Sequence, residues 1–122
     1  LLFKEIGEKM KKNNIVKESK DFEKAIKRGK FYKNNLYIIY VIDNDYNNYR
    51  FGISVGKKIS NKAVIRNKLK RRLKNIIDKY QNLYQNHKDY IIIMKRSCLD
   101  KSYQELESSF LEIMKKITVK EN

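Results

Sequence analysis

Tyr49-Arg50-Phe51-Gly52-Ile53-Ser54-Val55 alternates without a break: Phe51, Ile53 and Val55 point one way, Arg50, Gly52 and Ser54 the other. A period of two marks a strand with one face against a core. A few residues later the period changes. Ile65, Leu69, Leu73, Ile76 and Tyr80 recur at helical spacing and predict a long amphipathic helix, which Ser60 or Asn61 can cap. Tyr90-Ile91-Ile92-Ile93-Met94 then returns to an apolar, β-rich run.

The flanks extend this pattern. Upstream, Leu36-Tyr37-Ile38-Ile39-Tyr40-Val41-Ile42 reads as a buried strand, and Asp43-Asn44-Asp45 with Asn47-Asn48 marks the turn after it. Before that strand, Ser19 can cap a short helix with Asp21 and Glu23 in its first turn. Phe22, Ala25 and Ile26 share one face of it, and Gly29 is placed to stop it as a C′ residue. Downstream, Ser102-Tyr103-Gln104-Glu105 is a capping box. It opens a last helix with Tyr103, Leu106, Phe110, Ile113 and Ile117 on one side. With a short extra strand near Phe31-Tyr32, the order is αβββαβα, an α+β sandwich.

The chain has 122 residues, a net charge of +15 and no proline. Such a charge opposes compaction and favours a polyanionic partner, nucleic acid first and an anionic membrane second. Abundant Lys, Asn, Ile and Tyr point to a low-GC coding bias that scatters Lys everywhere, so clustering is a better test than the total. No repeat and no linker divides the chain, and residues 10–122 are expected to form a single domain. Leu1 to Lys9 looks detached from it, since Met10-Lys11-Lys12-Asn13 reads like a bacterial start; an N-terminal extension, disordered or weakly helical, is expected there. Cys98 is the sole cysteine, which leaves no intramolecular disulfide and no four-cysteine zinc site. No apolar run approaches the ~18 residues of a membrane span, and no signal peptide is read in the first residues. A cytoplasmic protein that does not engage a membrane is the expectation.

The charge does cluster. From Lys57 to Lys74 there are nine cations (Lys57, Lys58, Lys62, Arg66, Lys68, Lys70, Arg71, Arg72 and Lys74) and no Asp or Glu. Three of the six arginines fall here, which drift toward Lys does not produce. On a helical wheel the apolar stripe takes about a third of the circumference and the cations most of the rest. An ordinary solvated face mixes signs. A membrane-surface helix wants Trp or Phe at its apolar edge. An array of phosphate partners fits best.

Arg66-Asn67-Lys68-Leu69-Lys70-Arg71, following Phe51-Gly52-Ile53-Ser54-Val55-Gly56-Lys57-Lys58, resembles the signature of the bacterial ribonuclease P protein family, an Arg-Asn-Arg-x-Lys-Arg core after a strand ending in Ser-Lys-Lys. Lys20-Asp21-Phe22, Gly29-Lys30, the strand through Tyr40, and Lys88-Asp89-Tyr90-Ile91-Ile92-Ile93 stand in the family's order, so the likeness runs from about Ile15 to Ile117. Two positions depart. Lys68 replaces an Arg and loses its bidentate fork, and Gly56 stands where Ser is common.

The resemblance implies a mixed sheet with a left-handed βαβ crossover, as in the second domain of a small-subunit ribosomal protein, where general rules predict a right-handed one. It implies an RNA-binding subunit that helps a catalytic RNA remove the 5′ leader from precursor tRNA. Lys57, Lys58, Lys62, Arg66, Asn67, Lys68, Lys70, Arg71 and Lys74 would contact the ribonuclease P RNA. A cleft with Phe22, Ile26, Tyr40, Arg50 and Ser54 would take the single-stranded leader of precursor tRNA. Ile26 stands where an aromatic residue is common, and Arg50 could meet a phosphate. No obligate protein partner is implied. The enzyme would be the ribonucleoprotein: no residue of this chain would be catalytic, none would bind a metal or cofactor, and Mg²⁺ would serve the RNA.

Other residues offer little chemistry. His87, the only histidine, lacks an orienting partner and reads as a loop residue. Cys98 reads as a small apolar filler, and Asp43 and Asp45 as turn formers. The rival functions are another RNA-binding module of the ribosome or its maturation, a DNA-binding architectural protein, and an enzyme whose charge is mere drift. The arginine-bearing run behind Lys57-Lys58 favours the ribonuclease P reading over all three.

Overall fold

A computed structural model describes residues 12–121. The extension read in Leu1 to Lys9 lies outside the described residues. The elements are α1 (Ser19–Arg28), β1 (Lys30–Lys33), β2 (Tyr37–Asp43), β3 (Arg50–Ser54), α2 (Ala63–Lys79), β4 (Lys88–Met94) and α3 (Tyr103–Glu121), the expected αβββαβα order with β1 as the extra strand. The four strands form one sheet in the order β1-β2-β4-β3. β1–β2 and β2–β4 run antiparallel, whereas β3 and β4 are parallel. A parallel pair needs a long crossover, and the basic helix α2 provides it.

Strand alternation sorts the side chains onto two faces. Tyr37, Ile39 and Val41 of β2, Phe51 of β3, and Tyr90, Ile92 and Met94 of β4 join the main core with Leu69, Leu73, Ile76 and Ile77 of α2 and Leu106, Phe110, Ile113, Met114 and Ile117 of α3. The middles of both predicted apolar stripes are thus buried, while Ile65, Tyr80 and Tyr103 at their ends pack against the core partly buried. Phe51 and Tyr90 stack at 4.8 Å, with Tyr84 edge-on to Phe51 at 4.6 Å. The polar tips of buried rings are satisfied: the Tyr37 hydroxyl donates to the Leu106 carbonyl (2.7 Å) and the Tyr84 hydroxyl to the Ile77 carbonyl (2.8 Å). The opposite face carries a smaller cluster in which Val16, Ala25 and Ile91 are buried beside Phe22, Tyr40 and Ile42.

The helix ends differ in part from the expectation. The box at Ser102 forms as read: the Glu105 amide donates to Ser102 Oγ (3.1 Å) and the Ser102 amide to the Glu105 carboxylate (3.0 Å). Ser19, by contrast, is the first residue of α1 and does not cap it; Glu18 precedes it without a side-chain cap. Neither Ser60 nor Asn61 caps α2, whose first residue is Ala63. Ser60 Oγ instead accepts from the Lys62 amide (3.2 Å) and shapes the loop before the helix.

Gly29 does follow α1, but with φ −75°, so no left-handed C′ conformation ends the helix. Glycine is needed there for close approach. A Cβ would lie 2.5 Å from the Ala25 carbonyl oxygen and 3.0 Å from that of Val41, both backbone atoms that cannot swing away.

Cys98 is buried and donates to the Leu36 carbonyl (3.3 Å); burial pushes its thiol up to about 11. It is a core filler, not an activated nucleophile. His87 is exposed in the turn before β4, at φ 68°, where its amide donates to the Asn48 carbonyl (3.3 Å). Asp43 pairs with Lys88 (2.6 Å), which holds its carboxyl below the ordinary range. Among the described residues no helix is long and apolar enough to cross a membrane, and no three His, Cys, Asp or Glu side chains are grouped to hold a metal ion.

Candidate RNA interface

The basic array is built by α2 and the loop that leads into it. Burial of Leu69, Leu73, Ile76 and Ile77 fixes the rotation of the helix. Asn67, Lys68, Lys70, Arg71 and Lys74 are consequently exposed, and Arg72 is half-buried. Lys57, Lys58 and Lys62 are exposed on the preceding loop. That loop is anchored by the buried Ile59, whose amide donates to the Gly56 carbonyl (3.0 Å). Arg66 is half-buried and donates to the Ser60 carbonyl (2.8 Å), tying loop to helix. Because residues 57–74 contain no carboxylate, their charges reinforce one another across the whole face.

The second region lies where α1 crosses the other side of the sheet. Gly52 is buried there, and a Cβ on it would stand 2.6 Å from Phe22 Cζ and 2.9 Å from Ile91 Cδ1. The missing side chain is what lets the Phe22 ring settle onto β3. Tyr40 and Ser54 are half-buried on this face, and Ile26, one turn after Phe22, is 44 % exposed.

Arg50, expected to meet a phosphate, is held by carboxylates of the protein itself. Its Nε and Nη2 donate to the two carboxylate oxygens of buried Asp89 (2.8 and 2.6 Å), and Asp21 stands 3.6 Å away. Asn44 also donates to Asp89 (2.7 Å), and Tyr46 lies against the guanidinium at 4.5 Å. The hydrogen bond to Asp89 raises the Arg50 pKa further. Its charge is matched inside the protein.

The two regions meet. A groove of about 400 Å³ is lined by Ile15, Val16, Lys17, Phe22, Ile53, Lys70 and Lys74, together with Phe51. It has an apolar floor and a cationic rim. The parallel β3–β4 pairing and the α2 crossover place Lys70 and Lys74 beside a phenylalanine about fifty positions earlier in the chain. Such a groove suits an unpaired nucleotide, its base on the apolar floor and its phosphate at the lysines.

A family model described as Ribonuclease P matches residues 10–118. The chain belongs to the ribonuclease P protein family. It is 33 % identical over 112 residues to the ribonuclease P protein component of Bacillus cereus (strain AH187), covering 91 % of this chain and 96 % of that protein. The ribonuclease P protein of Staphylococcus aureus superposes with a TM-score of 0.77 at 28 % identity, over 85 % of this chain and 94 % of that one. The ribonuclease P protein of Thermotoga maritima, at 24 % identity, shares the fold with a TM-score of 0.75 over 83 % and 94 % of the two chains. The general role of the chain is that of a protein component of ribonuclease P.

The sequence alone did not mark several residues of the two regions. Ile15, Val16, Lys17, Phe51 and Ile53 complete the groove, Asp89 neutralises Arg50, and Phe31 stands beside Tyr40 with ring centroids 5.6 Å apart. Phe51 and Ile53 had a local signal, their place in the alternation of β3. The others depend on strand register and chain crossing.

Proposed function

We propose that this chain is the RNA-binding subunit of a ribonuclease P ribonucleoprotein, which removes the 5′ leader from precursor tRNA. The α2 face and the loop 57–62 bind the ribonuclease P RNA; the cleft between α1 and the sheet binds the unpaired leader. The reading rests above all on the continuity of a carboxylate-free cationic face with an apolar groove containing Phe22. Phosphates of a folded RNA need the first, and unpaired bases need the second. The cleavage chemistry belongs to the RNA and its Mg²⁺, while the protein supplies counter-charge and positioning.

The experiment is reconstitution. The purified chain alone should cleave nothing, and with ribonuclease P RNA at low Mg²⁺ it should raise cleavage of precursor tRNA at the mature 5′ end. Robust cleavage by RNA-free protein after stringent purification would overturn the division of labour.

In the same assay, the pair Phe22→Leu and Tyr40→Leu should weaken binding of precursor tRNA by roughly 1–3 kcal/mol per lost stack. Mature tRNA has no leader, and its affinity should hardly change. Leu keeps apolar bulk at two half-buried positions. Equal binding of both tRNAs by the variant, with a lower melting temperature, would make the two rings core residues only.

A further inference from the structure

Register aligns four residues across the α1 side of the sheet. Phe31 pairs with Tyr40, Tyr40 with Ile91, and Ile91 with Gly52. This row is apolar from edge to edge. At its Gly52 end it is covered by Phe22. At its β1 end it is open: Phe31 is 51 % exposed, its ring tilted 53° to that of Tyr40 at 5.6 Å.

We propose that Phe31 and Tyr40 form a stacking platform at the β1 end of the cleft, which engages one unpaired leader nucleotide more than Phe22 and Tyr40 reach between them. This rests on the leader reading above. A single exposed Phe is unremarkable on its own, since much of any surface is apolar. Three observations give this one a ligand. Its ring continues the row that Phe22 begins. Its neighbours are cations: Lys33 Nζ lies 5.9 Å from the ring, and Lys27 and Arg28 are exposed at the end of α1. Finally, Ile26 offers no aromatic face between Phe22 and this end of the cleft. A base stacked on Phe31, with a phosphate near Lys33, meets both needs of a single strand. Lys30 and Lys33 on the same edge strand also discourage pairing with another sheet.

The test uses holoenzyme reconstituted with ribonuclease P RNA and precursor tRNAs whose leaders are shortened one nucleotide at a time. Phe31→Thr keeps β propensity at an exposed position, so the fold should persist. Wild-type holoenzyme should gain affinity as the leader lengthens. Phe31→Thr should lose the last increment, about fivefold to tenfold, the low end for a stacked base. Its affinity for the shortest leaders should stay at the wild-type level, and Phe31→Trp should retain the increment.

If the wild type gains affinity with leader length and Phe31→Thr follows the same curve, the platform is refuted and the leader cleft stands. If the wild type shows no dependence on leader length, the leader reading itself fails and the platform with it. If Phe31→Thr binds every leader like the wild type but reduces self-association of the free protein, the ring is a contact between copies of the chain.

Discussion

Asp89→Ala is expected to lower the unfolding free energy by about 3–5 kcal/mol, the cost of leaving a buried charge without its partner. The Asp89 side chain is 6 % exposed and that of Arg50 12 %, so solvent cannot replace what is removed. Both carboxylate oxygens accept from the guanidinium, and one accepts from Asn44 as well. Asp21, at 3.6 Å, can compensate only in part. Replacing both members, as Arg50→Met with Asp89→Leu, should recover much of the loss, because neither charge is then stranded. Denaturant titrations with unchanged slope are the measurement. A single-variant loss below about 1 kcal/mol would mean that Arg50 finds other partners on removal of Asp89, and would return it to the set of residues free for a phosphate.

The distance between these two residues in the chain shows what the sequence can and cannot convey. Local signals were legible. The alternation through Phe51 and Ile53, the stripe from Ile65 to Tyr80 and the box at Ser102 each depend on near neighbours, and each forms. The basic face followed from the same stripe, because burial of one side of α2 leaves the other to solvent. Arg50 did not follow. Its alternation places it on the α1 side, but its partner lies thirty-nine positions later and becomes adjacent only through the parallel register of β3 and β4. Phe31 was hidden likewise, since its meaning comes from standing opposite Tyr40. Gly29 drew the right boundary for the wrong reason: packing of α1 against Val41, not a left-handed turn, demands the glycine.

Lys70→Ala, Arg71→Ala and Lys74→Ala together should weaken binding to ribonuclease P RNA by roughly a hundredfold at physiological salt. Each phosphate contact contributes about 0.7–0.9 to the slope of log affinity against log salt, so the slope should become shallower by roughly two to three. These three side chains are exposed and Ala is the best helix former, so the fold should be unharmed. Arg66 is left out because its hydrogen bond to the Ser60 carbonyl also holds the loop, and its loss would mix structure with charge. The control matters as much as the variant. A chain of +15 attracts any RNA through its overall field, and its many lysines make that field broad. Lys115→Ala, Lys116→Ala and Lys120→Ala remove the same charge from exposed positions on α3. If the α2 face makes phosphate contacts, the α3 triple should change the slope little, since charges beyond a Debye length of about 8 Å are screened. If both triples shift affinity and slope alike, net charge alone attracts the RNA and α2 is not its docking face. The prediction therefore depends on the difference between the two variants, which a uniform excess of lysine cannot produce.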